Sequence, residues 1–216
     1  MNILDEELRA RGFAHVRATL DRASYLELAR QLGDAVGTEI IALRPRAHAY
    51  VAKPGPVPLH TDHPAVDVIG WLCEAQDEAD GASQLLDTRP IVDGLTTKER
   101  DELERVGLAC PPLAGGPATE RWPVLRRTAH GTAVFSSPWL RVIDDNAARQ
   151  GAHDAFRQRL SHHARRAVEE VRLAPGEALF IDNRRILHGR RSITGNSHRT
   201  LVRVWLQGSP ARARVS

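Results

Sequence analysis

The stretch Pro58-Leu59-His60-Thr61-Asp62-His63-Pro64 is the strongest constraint on how this chain can fold. On an extended backbone, side chains two residues apart leave the same side. His60 and Asp62 therefore present an imidazole and a carboxylate toward one point and can grip a metal ion between them. A third ligand would complete a facial two-histidine, one-carboxylate triad. Such a triad leaves coordination positions open and is diagnostic of non-haem Fe(II) oxygenases. The candidate third ligand is His188, far down the chain in Asp182-Asn183-Arg184-Arg185-Ile186-Leu187-His188-Gly189-Arg190. A fold that uses it must bring two remote strands to one mouth.

Alone, His60-Thr61-Asp62 also reads as a polar loop after Pro54, Pro56 and Pro58, and His188 as the end of a strand. The order of the distal features favours the metal. A turn at Pro175-Gly176, a strand over 177–182, the His188-Gly189 step and a strand carrying Arg199 and Arg203 follow one another. Arg199 and Arg203 are four residues apart and share a strand face. Asn183 reads as a turn residue between two strands of a hairpin. Trp71 and Trp205 read as core aromatics, and Trp122 and Trp139, near loops, as pocket walls.

Composition limits the alternatives. With 216 residues, 42% hydrophobic and 26% charged, the chain reads as one soluble domain that buries a substantial core. No apolar run approaches the ~20 residues of a membrane span. The acidic, helix-like start lacks a signal-peptide pattern, so a cytoplasmic protein is expected. Cys73 and Cys110 form no C-x-x-C pair, which argues against a thiolate zinc site. The net charge of +3 and pI near 9.3 are mildly basic. The arginines at 184, 185, 190 and 191 are not interleaved with aromatics, which make up only 5% of the chain. Neither a nucleic-acid nor a membrane partner is expected; the expected partner is a small-molecule substrate.

Periodicity predicts helices over 3–11, from Asp21 or Ser24 to 32, over 89–95, 97–106 and 153–171. Strands are predicted over 13–17, 38–43, 48–52, 67–74, 82–87, 123–127, 132–136, 140–143, 177–182, 186–190 and 199–207. The Pro- and Gly-rich stretch 107–121 reads as a loop placed where a substrate lid would be useful. This is a mainly β chain with flanking helices, and its expected architecture is a double-stranded β-helix, or jelly-roll barrel.

These residues resemble the Fe(II)/2-oxoglutarate-dependent oxygenases, and within them the taurine dioxygenase and clavaminate synthase-like group. The carriers are Leu59 to Pro64, the run from Gly176 to Arg190, and Arg199-Thr200-Leu201-Val202-Arg203-Val204-Trp205-Leu206. Gly12-Phe13-Ala14-His15-Val16-Arg17 and Leu32-Gly33 fit the group's opening. The resemblance implies His60, Asp62 and His188 as Fe(II) ligands, with 2-oxoglutarate and dioxygen as cosubstrates. It implies that Arg199 holds the distal carboxylate of 2-oxoglutarate, a task suited to a planar guanidinium fork. It implies that Arg203 meets an acidic group of the substrate. Where the group carries a hydroxyl contact to 2-oxoglutarate, this chain has Gly81-Ala82-Ser83-Gln84. Gln84 occupies the aligned position with Ser83 beside it. Asp62 also separates the chain from related halogenases, which have a small residue there.

The implied activity is hydroxylation of an unactivated C–H bond in a small carboxylated metabolite, an amino acid or a derivative of one. Desaturation, cyclisation or epoxidation would use the same cofactors. Two further readings differ in kind: a cupin-like metal-dependent enzyme without 2-oxoglutarate, which has no use for Arg199, and a non-catalytic small-molecule binding module.

Overall fold

A computed structural model describes residues 3–43, 52–76, 81–115, 118–129, 131–144, 146–193 and 198–208. In chain order its elements are α1 (Ile3–Arg11), β1 (Phe13–Val16), α2 (Arg22–Arg30), β2 (Asp34–Ala42), β3 (Val57–His60), β4 (Val68–Ala75) and β5 (Ser83–Asp87). Then follow α3 (Arg89–Asp93), α4 (Thr97–Arg105), β6 (Gly107–Cys110), β7 (Glu120–Pro123), β8 (Leu125–Thr128) and β9 (Gly131–Val134). The chain ends with α5 (Ala147–Ala167), β10 (Glu169–Val171), β11 (Ala178–Asp182), β12 (Ile186–Arg190) and β13 (Thr200–Gln207). It is mostly β with flanking helices, as expected. Among the described residues no helix is long and apolar enough to cross a membrane.

Two antiparallel sheets carry the structure. One has the order β1-β11-β4-β13-β2 and the other β10-β5-β12-β3. Strand alternation sorts their side chains into three apolar layers. Ile69, Trp71, Leu179, Ile181 and Leu201 of the larger sheet meet Leu85 and Ile186 of the smaller between the sheets. Val68, Leu72, Phe180, Val202 and Val204 leave the opposite face of the larger sheet and pack under α1 and α2 against Leu8, Tyr25 and Ala29. Leu86 and Leu187, on the outer face of the smaller sheet, join α3, α4, α5 and the hairpins around Phe156 and Leu160. A close approach is built in at Gly70, where an added Cβ would lie 2.7 Å from Phe180 and Tyr25, which stack on each other.

Local signals act as expected at the helix starts. The Asp21 side chain caps α2 by accepting from the Ser24 amide. Thr96 and Glu99 form a reciprocal capping box on α4, satisfying amides that a helix start leaves without partners.

Several expected boundaries are corrected. The stretch 107–121 is not all loop, because β6 and β7 pair across it from Gly107↔Pro123 to Cys110↔Glu120. Residues 140–143 form no strand; only the bridge Leu108↔Val142 is made there. The long helix begins at Ala147, and 169–171 leave it to pair with β5 as β10. β2 begins four residues earlier than expected, at Asp34, because β13 pairs with it along its length. The expected strand at 48–52 lies almost wholly outside the described residues. β11 and β12 are not a hairpin: they belong to different sheets, so Asn183 sits on a corner between layers.

Candidate metal centre

His60 ends β3 and His188 lies in the middle of β12, directly opposite it in the ladder. The strands meet closely because residue 189 is glycine; a Cβ there would fall 2.6 Å from the Val57 carbonyl oxygen. The two imidazoles are 4.3 Å apart between ring centroids. Asp62 follows in the loop after β3. Its Oδ1 lies 3.4 Å from Nε2 of His60 and 3.5 Å from Nε2 of His188. Three donor atoms, two imidazole nitrogens and one carboxylate oxygen, thus converge within 4.8 Å of one another.

The surroundings orient these donors. His60 donates Nδ1–H to the Pro58 carbonyl at 2.8 Å, which leaves the Nε2 lone pair directed at the cluster. Oδ2 of Asp62 accepts from Nε1 of Trp205 at 2.7 Å and from Nη1 of Arg203 at 3.2 Å. Only Oδ1 remains for a metal. Burial opposes charge on Asp62, yet the two histidines and then Arg203 hold its carboxyl well below the usual range. Burial, and then the nearby His60, push His188 down to about 4, so it is neutral at physiological pH. A neutral His188 and an ionised Asp62 are the protonation states that Fe(II) needs of these two ligands.

The loop that presents Asp62 is pinned from two sides. Asn183, buried at the corner between layers, accepts from the Asp62 amide at 2.8 Å. Its Nδ2 donates to the carbonyls of His63 and Val66 at 3.2 and 2.9 Å. The Thr61 amide donates to Ser136 O at 2.8 Å, and the Ser136 amide to Thr61 Oγ1 at 3.1 Å. Asn183 was expected to be a turn residue; it also fixes the carboxylate loop from across the molecule.

The cluster separates two cavities. The inner one is lined by His60, Trp71, Ser83, His188, Arg190, Arg199 and Arg203, among others. Arg199 and Arg203 thus share one face, with Leu201 between them, as period two requires. Ser83 faces this cavity. Gln84 points the other way and donates to Glu170 across β10, so alternation along β5 separates the two candidates. Sequence reasoning missed Arg190, a buried arginine whose guanidinium donates to the backbone carbonyls of Lys53 and Gly55. The other three arginines of the basic stretch are engaged within the protein. Arg184 pairs with Asp67 and Asp182, Arg185 with Asp87, and Arg191 with Glu170.

The outer cavity, about 400 Å³, is lined by His60 to His63, Cys110 to Leu113, Phe135, Ser137, Trp139, Leu140, Arg203 and Trp205. Trp139 also stands edge-on to His60 at 4.7 Å. The tryptophan expectation is partly reversed. Trp205 walls this cavity because it continues the face of Arg203, and Trp71 packs at 5.1 Å from His188. Trp122 lines a separate small cavity beside Pro123 and Phe135, as expected of a pocket wall, and packs on His63 at 6.0 Å. Arg203 is not free to meet a ligand with its whole fork: Nη2 donates to Glu39 at 2.6 Å, and its guanidinium lies 4.4 Å over the Trp205 ring.

The family described as "Taurine catabolism dioxygenase TauD, TfdA family" matches residues 1–205. No curated protein matches the sequence. Solved structures do match in fold. An asparagine oxygenase in complex with Fe(II), 2S,3S-3-hydroxyasparagine and succinate superposes with a TM-score of 0.71 at 18% identity, over 97% of this chain and 79% of that one. The non-haem iron oxygenase OrfP, in complex with Fe, succinate and (3S)-hydroxy-L-Arg, gives 0.73 at 18%, over 98% and 80%. PvcB, described as an Fe, alpha-ketoglutarate dependent oxygenase from an isonitrile synthetic pathway, gives 0.70 at 17%, over 96% and 80%.

Proposed function

The chain belongs to the TauD/TfdA family of dioxygenases, and from that premise we propose that it is an Fe(II)- and 2-oxoglutarate-dependent hydroxylase of a small carboxylated metabolite, an amino acid or an amino-acid derivative. The observation that carries this reading is the convergence of Nε2 of His60, Oδ1 of Asp62 and Nε2 of His188 within 4.8 Å. The substrate class draws support from the fold neighbours whose descriptions name hydroxyasparagine and hydroxyarginine. In this reading the two facing sheets are the halves of a double-stranded β-helix with the metal at its mouth, and the whole chain is one catalytic domain. Its setting is taken to be the cytoplasm.

The residues divide the work. His60, Asp62 and His188 would hold the ion, which, with 2-oxoglutarate and dioxygen bound, supplies the oxidising power. Trp205 and Arg203 keep Asp62 to one donor oxygen. Arg199 takes the distal carboxylate of 2-oxoglutarate in the inner cavity, with the Ser83 hydroxyl beside it; Gln84 has no part. Arg203 lines both cavities and meets the substrate carboxylate, which replaces Glu39. That exchange costs little because Glu39 is more than half exposed, and exposed ion pairs contribute only ~0–1 kcal/mol. The segment from Pro111 to Leu113 forms part of the substrate wall and is the region that closes over it.

The test is to replace His60, Asp62 or His188 singly by alanine. Each variant is expected to keep its circular dichroism spectrum, to lose Fe(II) binding in an anaerobic titration, and to release no succinate from 2-oxoglutarate. Near-normal turnover in any one of them would remove that residue from the ligand set.

A further inference from the structure

We propose that the outer cavity selects an apolar or aromatic side chain, so that the substrate class is a hydrophobic amino acid or its derivative and not a carboxamide or guanidinium. This rests on the function just proposed and narrows it. The argument is an account of the cavity's polar groups: among the described residues that line it, the charged groups and the Thr61 hydroxyl already have partners in the protein, which leaves the Ser137 hydroxyl and the Cys110 thiol as the small polar groups of the wall.

Asp62 receives Trp205 and Arg203 on Oδ2, and its Oδ1 faces the two histidines. His63 is fixed as a neutral tautomer: Nε2–H donates to Pro111 O at 3.1 Å, and Nδ1 accepts from the Ala65 amide at 3.1 Å. The Thr61 hydroxyl is spent on Ser136. Arg203 spans Asp62 and Glu39 at the rim, so its charge suits a substrate head group there and nothing deeper.

Beyond Ser137 and Cys110, most of what remains of the wall is carbon. Leu113, Phe135, Trp139 and Leu140 line it, and the Trp205 ring offers only its face, its N–H being committed to Asp62. Among the described residues lining the cavity, the carboxylate is Asp62, which is already matched. A guanidinium placed there would lack a counter-charge, and a carboxamide would trade its hydrogen bonds to water for little beyond the Ser137 hydroxyl, because buried polar groups short of partners are costly. An aliphatic or aromatic side chain loses nothing on entry and gains contact with two indoles. The volume of about 400 Å³ admits either.

The experiment titrates the full-length protein, loaded anaerobically with Fe(II) and 2-oxoglutarate, with L-phenylalanine, L-leucine, L-asparagine and L-arginine. Quenching of tryptophan fluorescence reports occupancy, and binding of 2-oxoglutarate is measured first in the same sample. Phenylalanine and leucine are expected to bind at least roughly tenfold more tightly than asparagine and arginine. Trp139→Ala, at a position about 37% exposed and with its circular dichroism spectrum checked against the parent, is expected to weaken phenylalanine by a similar factor. Tighter binding of asparagine or arginine, or no binding by phenylalanine or leucine, overturns this inference while leaving the proposed activity in place. Failure of 2-oxoglutarate to bind overturns both.

Discussion

Trp205 donates its indole N–H to Oδ2 of Asp62 at 2.7 Å, across the gap between β13 and the loop after β3. The bond holds one carboxylate oxygen away from the metal position and leaves the other for it. Partners of this kind behind a ligand typically contribute a factor of about 10–100 in metal affinity. Trp205→Phe keeps an aromatic face under Arg203 but removes the N–H. We expect Fe(II), or Co(II) as a spectroscopic substitute, to bind at least about tenfold more weakly while urea stability changes little. An unaltered metal dissociation constant would show that the Trp205 N–H is not needed to position Asp62.

In the proposed reading, Arg199 serves the cosubstrate and Arg203 the substrate. Loss of a bidentate arginine–carboxylate pair in a partly buried site costs ~2–5 kcal/mol. Arg199→Ala is therefore expected to raise the KM for 2-oxoglutarate well over tenfold and to suppress the slow decarboxylation that runs without substrate. Arg203→Ala should leave the KM for 2-oxoglutarate near its original value and weaken the substrate-dependent reaction. Equal loss of uncoupled turnover in both would end this division of labour.

The convergence of His60, Asp62 and His188 was legible because each half is a local pattern: a His-x-Asp triplet, and a histidine just before a glycine in a buried strand. Trp205 was equally legible in principle. Period two from Arg203 puts it on the same face, yet its bulk and setting read as core. Asn183 was not legible, since what it does depends on a loop some 120 residues earlier in the chain. The strand β10 was hidden for a similar reason. Val168-Glu169-Glu170-Val171 continues the helical pattern of α5, and only pairing with β5 claims it for the sheet. Residues 140–143 show the converse, a local apolar run that finds a single bridging partner.

Asp87 and Arg185 tie the smaller sheet to α1. The guanidinium meets Asp87 in a fork, Nε to Oδ1 at 3.0 Å and Nη2 to Oδ2 at 2.6 Å, and also donates to the carbonyls of Arg9 and Ala10. Arg185 is buried, so removing its counter-charge strands a cation; breaking such a pair costs up to ~3–5 kcal/mol, and less here because Asp87 is about one-third exposed. Asp87→Asn is expected to lower the urea midpoint clearly. Burial works against the Asp87 charge, but Arg185 prevails and keeps its carboxyl below the usual range. A depressed carboxyl stabilises the fold above its unfolded pKa of ~3.9, and that contribution fades as pH falls below it. The gap between wild type and Asp87→Asn should therefore narrow toward pH 3. A gap independent of pH would mean that shape at this position matters and charge does not.

His188 is expected to make the metal-free protein less stable in mild acid. In the unfolded chain a histidine titrates near ~6.5, whereas in the fold burial, and next the neighbouring His60, push His188 down to about 4. Between those values the unfolded state binds a proton that the folded state refuses. Stability is then lost as pH falls from ~6.5 toward 4, by roughly 3 kcal/mol in total if this group acted alone. His188→Gln, which cannot titrate, should flatten that part of the profile. Urea unfolding of chelator-treated wild type and variant at half-unit pH steps measures the slope directly. Parallel profiles for the two proteins would show that His188 is protonated in the fold without cost. In that case the imidazole would not be the neutral ligand that the cluster requires.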